Sequence, residues 1–188
     1  MNNYLIGFCG GSGAGKTTLV SQLLNHYGNK AVAIELDSYY KDSPGLTFKE
    51  REKINFDHPD SFDIDLLKEH LILLKSGNEI KKPIYDFKTH KRQKNTNTIN
   101  PNTLIFLEGT LIFYFIELIN IINLKIFIET KESIRYQRRI DRDIKQRGRA
   151  ISNVKKQYQN TVKPVSYTHL RAHETREDRV CRGRGEKK

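Results

Sequence analysis

Gly10-Gly11-Ser12-Gly13-Ala14-Gly15-Lys16-Thr17 is the stretch of this 188-residue chain whose types and spacing most plainly do chemistry. It matches the pattern G-x-x-x-x-G-K-[ST]. Glycines let successive backbone N–H groups wrap a phosphate, and a helix starting at the end of the loop adds favourable partial charge. In such a loop Lys16 reaches the β- and γ-phosphates, and the Thr17 hydroxyl serves a magnesium ion. The bland alternative is a flexible glycine turn, but the stretch lies between a strand-like and a helix-like segment. The loop therefore points to a nucleoside triphosphate. No Asn-Lys-x-Asp guanine-binding motif occurs, which argues against a GTPase switch.

Two acids stand where that chemistry needs them. Asp37, opening Asp37-Ser38-Tyr39-Tyr40-Lys41-Asp42, follows a predicted strand, where a base for a substrate hydroxyl belongs. A capping or turn aspartate is the equally simple reading of the residue alone. Glu108, before Gly109, ends another predicted strand and suits magnesium directly or through water. Arg135, Arg138, Arg139 and Arg142 recur at helical spacing and share one face, with Arg147 and Arg149 just beyond. Three readings of that face stay open: a solvated surface, an RNA patch, or a lid closing on triphosphate charge.

The elements that must position these groups are legible from periodicity. Tyr4–Cys9 is an apolar run ending on glycines and reads as a buried strand. Residues 17–27 carry Leu19, Leu23 and Leu24 at helical spacing and stop at Gly28; residues 31–36 form a second strand. Strand, glycine loop, helix and strand make the βαβ unit of a parallel sheet, with its sites at the C-terminal strand ends. A helix is predicted over 63–75, and a polar excursion such as a hairpin over 80–103. Further strands are predicted over 103–107 and Leu124–Ile128, and a basic helix over 132–146.

Composition bounds the class. There are 33 Lys+Arg against 22 Asp+Glu, a formal charge of +11, and 37% of residues are hydrophobic. The longest greasy stretch, 111–122, is too short to span a bilayer and contains Glu117 and Asn120. The N-terminus lacks the basic start of a secretory signal, and Cys9 and Cys181 make neither a disulfide framework nor a metal quartet. A cytoplasmic protein without a membrane partner is the expectation. All 20 Ile and all 14 Asn precede residue 165, and Arg overtakes Lys beyond it, so something changes there.

A set of further motifs makes a family resemblance specific. Asp37-Ser-Tyr-Tyr-Lys-Asp42, Asn55-Phe-Asp-His-Pro59, Pro83-Ile-Tyr-Asp-Phe-Lys-Thr-His90 with Arg92, Glu108-Gly109, Arg138-Arg139 with Arg142-Asp143, Arg147-Gly-Arg149, Gln157-Tyr158 and Thr161-Val-Lys-Pro164 occur in order. Together they resemble the uridine kinases of the phosphoribulokinase/uridine kinase family, over nearly nine-tenths of the chain. The resemblance implies an α/β fold of the P-loop NTPase type, a parallel sheet flanked by helices with a polar β-hairpin excursion. It implies phosphorylation of the 5′-hydroxyl of uridine or cytidine, with ATP (or GTP) as donor and Mg²⁺. By the same resemblance, Gly10 through Thr18, Arg142 and Arg147 face the donor; Asp37 is the general base; Thr17, Asp37 and Glu108 serve the metal. Asp57 and Arg139 hold the ribose hydroxyls, Tyr85, Phe87 and His90 contact the pyrimidine, and Arg149 and Gln157 add nucleoside contacts. A homo-oligomer is implied for the intact family protein, and no nucleic-acid partner. The alternatives are a related P-loop kinase acting on another small alcohol, an RNA-binding or regulatory protein that keeps the fold without turnover, or an inert truncated fragment of the kinase.

The chain departs from that pattern in two places. Thr110 stands where an aliphatic residue is usual, and the segment after it is apolar where charge is expected. Beyond Pro164 the family's last strand and closing helix are expected to be missing. Val165-Ser-Tyr-Thr-His-Leu-Arg-Ala-His-Glu-Thr175 instead resembles one reading frame of a sequencing-library adapter. The expectation is a kinase domain over 1–164 and a non-native, disordered tail over 165–188.

Overall fold

The computed structural model describes residues 3–145, 151–162 and 180–181. Strand β1 (Tyr4–Cys9) enters first, followed by the glycine loop and helix α1 (Lys16–Tyr27). Gly28 closes α1 at φ 55°, returning its amide to the Leu24 carbonyl. β2 (Ala31–Glu35) runs into a 3-10 turn over Leu36–Tyr39, so the strand is one residue shorter than the sequence suggests. Then come α2 (Phe48–Arg51), α3 (Ile64–Lys75), β3 (Ile80–Asp86) and β4 (Lys91–Ile99). The chain continues through β5 (Leu104–Gly109), α4 (Ile116–Ile119), β6 (Leu124–Ile128) and α5 (Glu132–Lys145). The last elements are α6 (Ile151–Gln157), a π-helical turn over Tyr158–Val162, and β7 (Val180–Cys181).

Five strands form one parallel sheet in the order β2-β5-β1-β6-β7. β3 and β4 pair antiparallel as a separate hairpin, the predicted excursion. Period-two alternation explains both faces of the main sheet. Leu5, Cys9, Ile34, Ile105 and Leu107 point to the α3 side, where Leu67, Leu71 and Leu74 are fully buried. Phe8, Ala31 and Phe106 point to the other side, against Val20, Leu19, Leu23 and Leu24 of α1. Burying a leucine of α3 contributes about 1.5–3 kcal/mol, so these contacts hold the sheet and fix its strand ends.

The structure corrects the expected end of the sheet. Val180–Cys181 pairs with Phe127–Ile128 as a fifth strand, two residues long, where no strand beyond β6 was anticipated. The rest of 165–188, and with it the anticipated disorder and the missing helix, lies outside the described residues.

Candidate active site

The C-terminal ends of three neighbouring strands lie at one level: Cys9 pairs in register with Gly109, and Glu35 with Glu108. Everything following those ends therefore converges. The phosphate loop leaves β1, and α1 begins at Gly15 with φ 99° and no side-chain cap, so the first N–H groups of α1 have no capping side chain. No acid occupies its first turn to compete for them. Gly13 has φ +81°, and a Cβ there would come within 2.4 Å of the Arg135 carbonyl oxygen. Glycine is thus required by both conformation and space.

Lys16 Nζ donates to the Gly10 carbonyl at 2.8 Å and to Gly11 at 3.2 Å, which curls the ammonium into the loop. Burial pushes its pKa below the ordinary lysine value, partly offset by the Asp37 and Glu108 carboxylates. Thr17 Oγ1 donates to Glu108 Oε2 at 3.0 Å. Glu108 is itself buried, and burial raises its pKa despite that bond and the nearby Lys16. A buried carboxylate so raised is one that a cation would stabilise. Thr17, Glu108 and Asp37 line one cavity and so fit a magnesium ion bound to a donor's phosphates.

Asp37 sits in the 3-10 turn after β2, where no side chain caps the turn. Asp37, which also lines the cavity described below, is thus a turn residue rather than a cap. Beside it, Glu35 accepts from Ser38 Oγ at 3.3 Å and pairs with Lys82 of the hairpin.

The arginine face of α5 is sorted by depth. Arg139 is buried and donates to Ser12 Oγ at 3.0 Å and to Gln157 Oε1 at 3.1 Å, with Asp57 4.0 Å away. Arg142 reaches Ser12 Oγ at 3.5 Å and pairs with the fully buried Asp143 at 2.9 Å. Arg135 lies over Gly11, where its guanidinium leaves no room for a Cβ, and donates to the Thr130 carbonyl at 3.0 Å. Arg138 is exposed at the rim. Neither a plain solvated face nor a continuous RNA patch describes this arrangement.

A cavity of about 400 Å³ joins these groups. Its walls include Ser12, Lys16, Thr17, Asp37, Glu108 and Arg142 together with Asp57, Arg139, Gln157, Tyr85, Phe87 and His90. A second space of about 540 Å³ opens beside Gly13, Gly15, Lys16, Thr17, Thr18, Arg138 and Arg142. The two meet at Lys16, Thr17 and Arg142. Of the residues singled out from sequence, Gly10, Gly11 and Ala14 shape the loop without lining either space, and Arg147 and Arg149 lie outside the described residues.

Within the lining of the first cavity Tyr85 and Phe87 make an edge contact at 5.4 Å, and Tyr40 and Phe62 are stacked at 4.6 Å. Phe56 stacks on His90 at 5.0 Å and 13°. His90 is the single non-glycine residue with positive φ, 54°, among the described residues. Asp57 is held by Thr161 Oγ1 at 2.7 Å and by Gln157 Nε2 at 3.5 Å.

Sequence reasoning assigned no role to Tyr40, Phe56, Phe62, Glu35 with Lys82, Asp143 or Thr161. Tyr40, Phe56, Asp143 and Thr161 lie inside the motifs quoted above, and that membership is the available signal. Lys82 is joined to the site by a long-range pair with Glu35 that no local pattern announces.

The comparisons with known proteins agree with this geometry. The uridine kinase of Clostridium novyi (strain NT) is 46% identical over 166 residues, covering 88% of this chain and 80% of that protein. The uridine kinase of Brevibacillus brevis (strain 47 / JCM 6285 / NBRC 100599) is 46% identical over 165 residues, covering 87% and 77%. Among solved structures, the phosphoribulokinase from Rhodobacter spheroides superposes with a TM-score of 0.60 at 16% identity, covering 87% of this chain and 66% of its own. At that identity it speaks for the fold, a P-loop kinase sheet flanked by helices. The description "Phosphoribulokinase / Uridine kinase family" matches residues 5–180, and with the phosphate loop, strand ends and arginine helix in place, the chain belongs to that family of phosphotransferases.

Proposed function

We propose that the chain transfers the γ-phosphoryl group of ATP (or GTP) to the 5′-hydroxyl of uridine or cytidine. The observation that carries this reading is the shared cavity, whose lining brings Ser12, Lys16 and Thr17 of the phosphate loop together with Asp37, Asp57, Tyr85, Phe87 and His90. Aromatic walls suit a base, and a carboxylate beside a buried guanidinium suits a vicinal diol. The 46% identical relatives named uridine kinase support the same substrate class.

The residues divide the work. Lys16 and the α1 N-terminus hold the donor's terminal phosphates, with Arg142 completing the enclosure. Asp57 and Arg139 orient the ribose so that its 5′-oxygen lies near Asp37. Asp37 takes the hydroxyl proton as that oxygen forms its bond to phosphorus, and the bond to the β-phosphate oxygen breaks, leaving the nucleoside diphosphate. Thr17, Glu108 and Asp37 would hold a magnesium ion, which would supply neutralisation of the donor's phosphate charge. Positioning and electrostatics account for most of the rate in such a scheme. We read the reaction as cytoplasmic pyrimidine salvage, carried by residues 1–164.

The test is product detection by chromatography after incubating the purified chain with ATP, Mg²⁺ and a panel of nucleosides and sugar phosphates. UMP and CMP are expected. Phosphorylation of another alcohol in preference, or no phosphorylation of any nucleoside, overturns the assignment.

A further inference from the structure

Arg51 ends the short helix α2, outside the cavity lining, yet it is only 6% exposed. Its Nε donates to the Thr89 carbonyl at 3.1 Å, and its Nη1 donates to the Leu46 carbonyl. It forms no ion pair among the described residues. A buried guanidinium satisfied by two carbonyls and no carboxylate is costly to keep, and its planar fork fixes geometry rather than charge.

The two carbonyls belong to the two halves of the acceptor pocket. Thr89 immediately precedes His90, the residue held at φ 54°. Leu46 begins the segment that runs through Phe56, stacked on His90, to Asp57. The hairpin is held to the domain by other contacts: Lys82 of β3 pairs with Glu35, Ile80 is buried in the core, and Arg92, two residues past His90, donates to Asp63 at 3.1 Å and to the Tyr40 carbonyl at 2.9 Å. Removing Arg51 therefore frees the Thr89 end of the turn without detaching the hairpin from the domain.

We propose that Arg51 is a positioning residue for the acceptor, tying the base-facing turn at Thr89–His90 to the loop that carries Asp57 and so setting the span of the nucleoside pocket. The proposal rests on the nucleoside reading above. It follows that Arg51 controls acceptor affinity and leaves the donor side untouched, since neither of its bonds reaches the phosphate loop. A mere packing role would weaken both substrates together.

The experiment is isothermal titration of the wild-type chain, Arg51→Met and Arg51→Lys with uridine and, separately, with the MgATP analogue AMP-PNP. Arg51→Met is expected to weaken uridine at least about tenfold while AMP-PNP stays within about twofold, and Arg51→Lys, which can still reach one carbonyl, is expected to recover part of the loss. Should Arg51→Met be insoluble, Arg51→Lys decides, with an expected loss of about threefold for uridine alone. Unchanged uridine affinity in both variants, or parallel loss of both ligands, overturns the proposal. A wild-type chain that binds AMP-PNP but no pyrimidine nucleoside instead overturns the nucleoside reading on which it stands.

Discussion

Replacing Tyr85 with phenylalanine separates what the protein needs in order to fold from what it needs in order to bind. The Tyr85 ring is 7% exposed, its hydroxyl has no hydrogen-bond partner among the described residues, and it lines the main cavity. Burial pushes its pKa up to about 12, so the hydroxyl stays a neutral donor throughout the working range. A buried polar group left unpaired costs about 1–3 kcal/mol, and the phenylalanine variant removes that cost without opening a cavity. For a chain of this size about 1 kcal/mol corresponds to roughly 2–4 °C, so the ligand-free Tyr85→Phe protein should melt at least that much higher. Binding should move the other way. If the hydroxyl donates to the acceptor, its removal forfeits about 0.5–1.5 kcal/mol, or roughly 2- to 13-fold in uridine affinity. Thermal denaturation and uridine titration on the same preparation read both effects. A variant that melts lower, or that melts higher and binds uridine as well as wild type, refutes the argument that this hydroxyl is reserved for a ligand.

Other perturbations test other parts of the scheme. Lys16→Ala should abolish AMP-PNP binding while leaving the melting temperature within a few degrees, because Nζ bonds only its own loop among the described residues; retained binding removes the loop from the reaction. Asp37→Asn should lower kcat at least about 100-fold with a smaller change in nucleoside KM, whereas a variant that loses affinity alone makes Asp37 a substrate holder. His70, buried with the Tyr39 hydroxyl 2.9 Å from its Nδ1, has its pKa lowered by burial. The unfolded chain then binds that proton more readily, so stability is full above the ordinary histidine value of about 6.5 and declines as pH falls through the lowered value. Melting curves from pH 8 to 5 should be flatter for His70→Gln, and parallel curves count against this account. Cutting the chain after Val165 should leave nucleoside binding unchanged, since β7 touches the sheet through two residue pairs; lost binding would give that segment a role.

The apolar run Tyr4–Cys9 was legible because both faces of a central parallel strand are covered, and Leu124–Ile128, apolar though only partly buried, also emerges with the expected bounds. The leucine spacing of α3 was equally plain, since one stripe packs on the sheet. The phosphate loop could be read because its function demands glycine, lysine and threonine in a fixed order. What escaped are side chains whose meaning lies in a distant partner. Arg51 and Thr89 are 38 residues apart, Glu35 and Lys82 47, and Asp57 and Thr161 104. Neither the short helices α2 and α4 nor the π-helical turn carries enough periodicity to be seen. A two-residue strand such as β7 has no sequence signal at all.

The strand order β2-β5-β1 acts as a gauge block. Neighbouring strands stand about 4.8 Å apart, so the loop leaving β1 and the acid following β2 are separated by two such steps, roughly 10 Å, with Glu108 on the strand between them. That interval is machined from main-chain hydrogen bonds and does not depend on which side chains clothe the helices. Substitution can therefore drift at exposed positions, such as Ile72 of α3 and Ile116 of α4, without altering that spacing. Putting the strand ends out of level would take a slip in register, and a one-residue slip exchanges the two faces of the strand and is opposed by its buried apolar side chains.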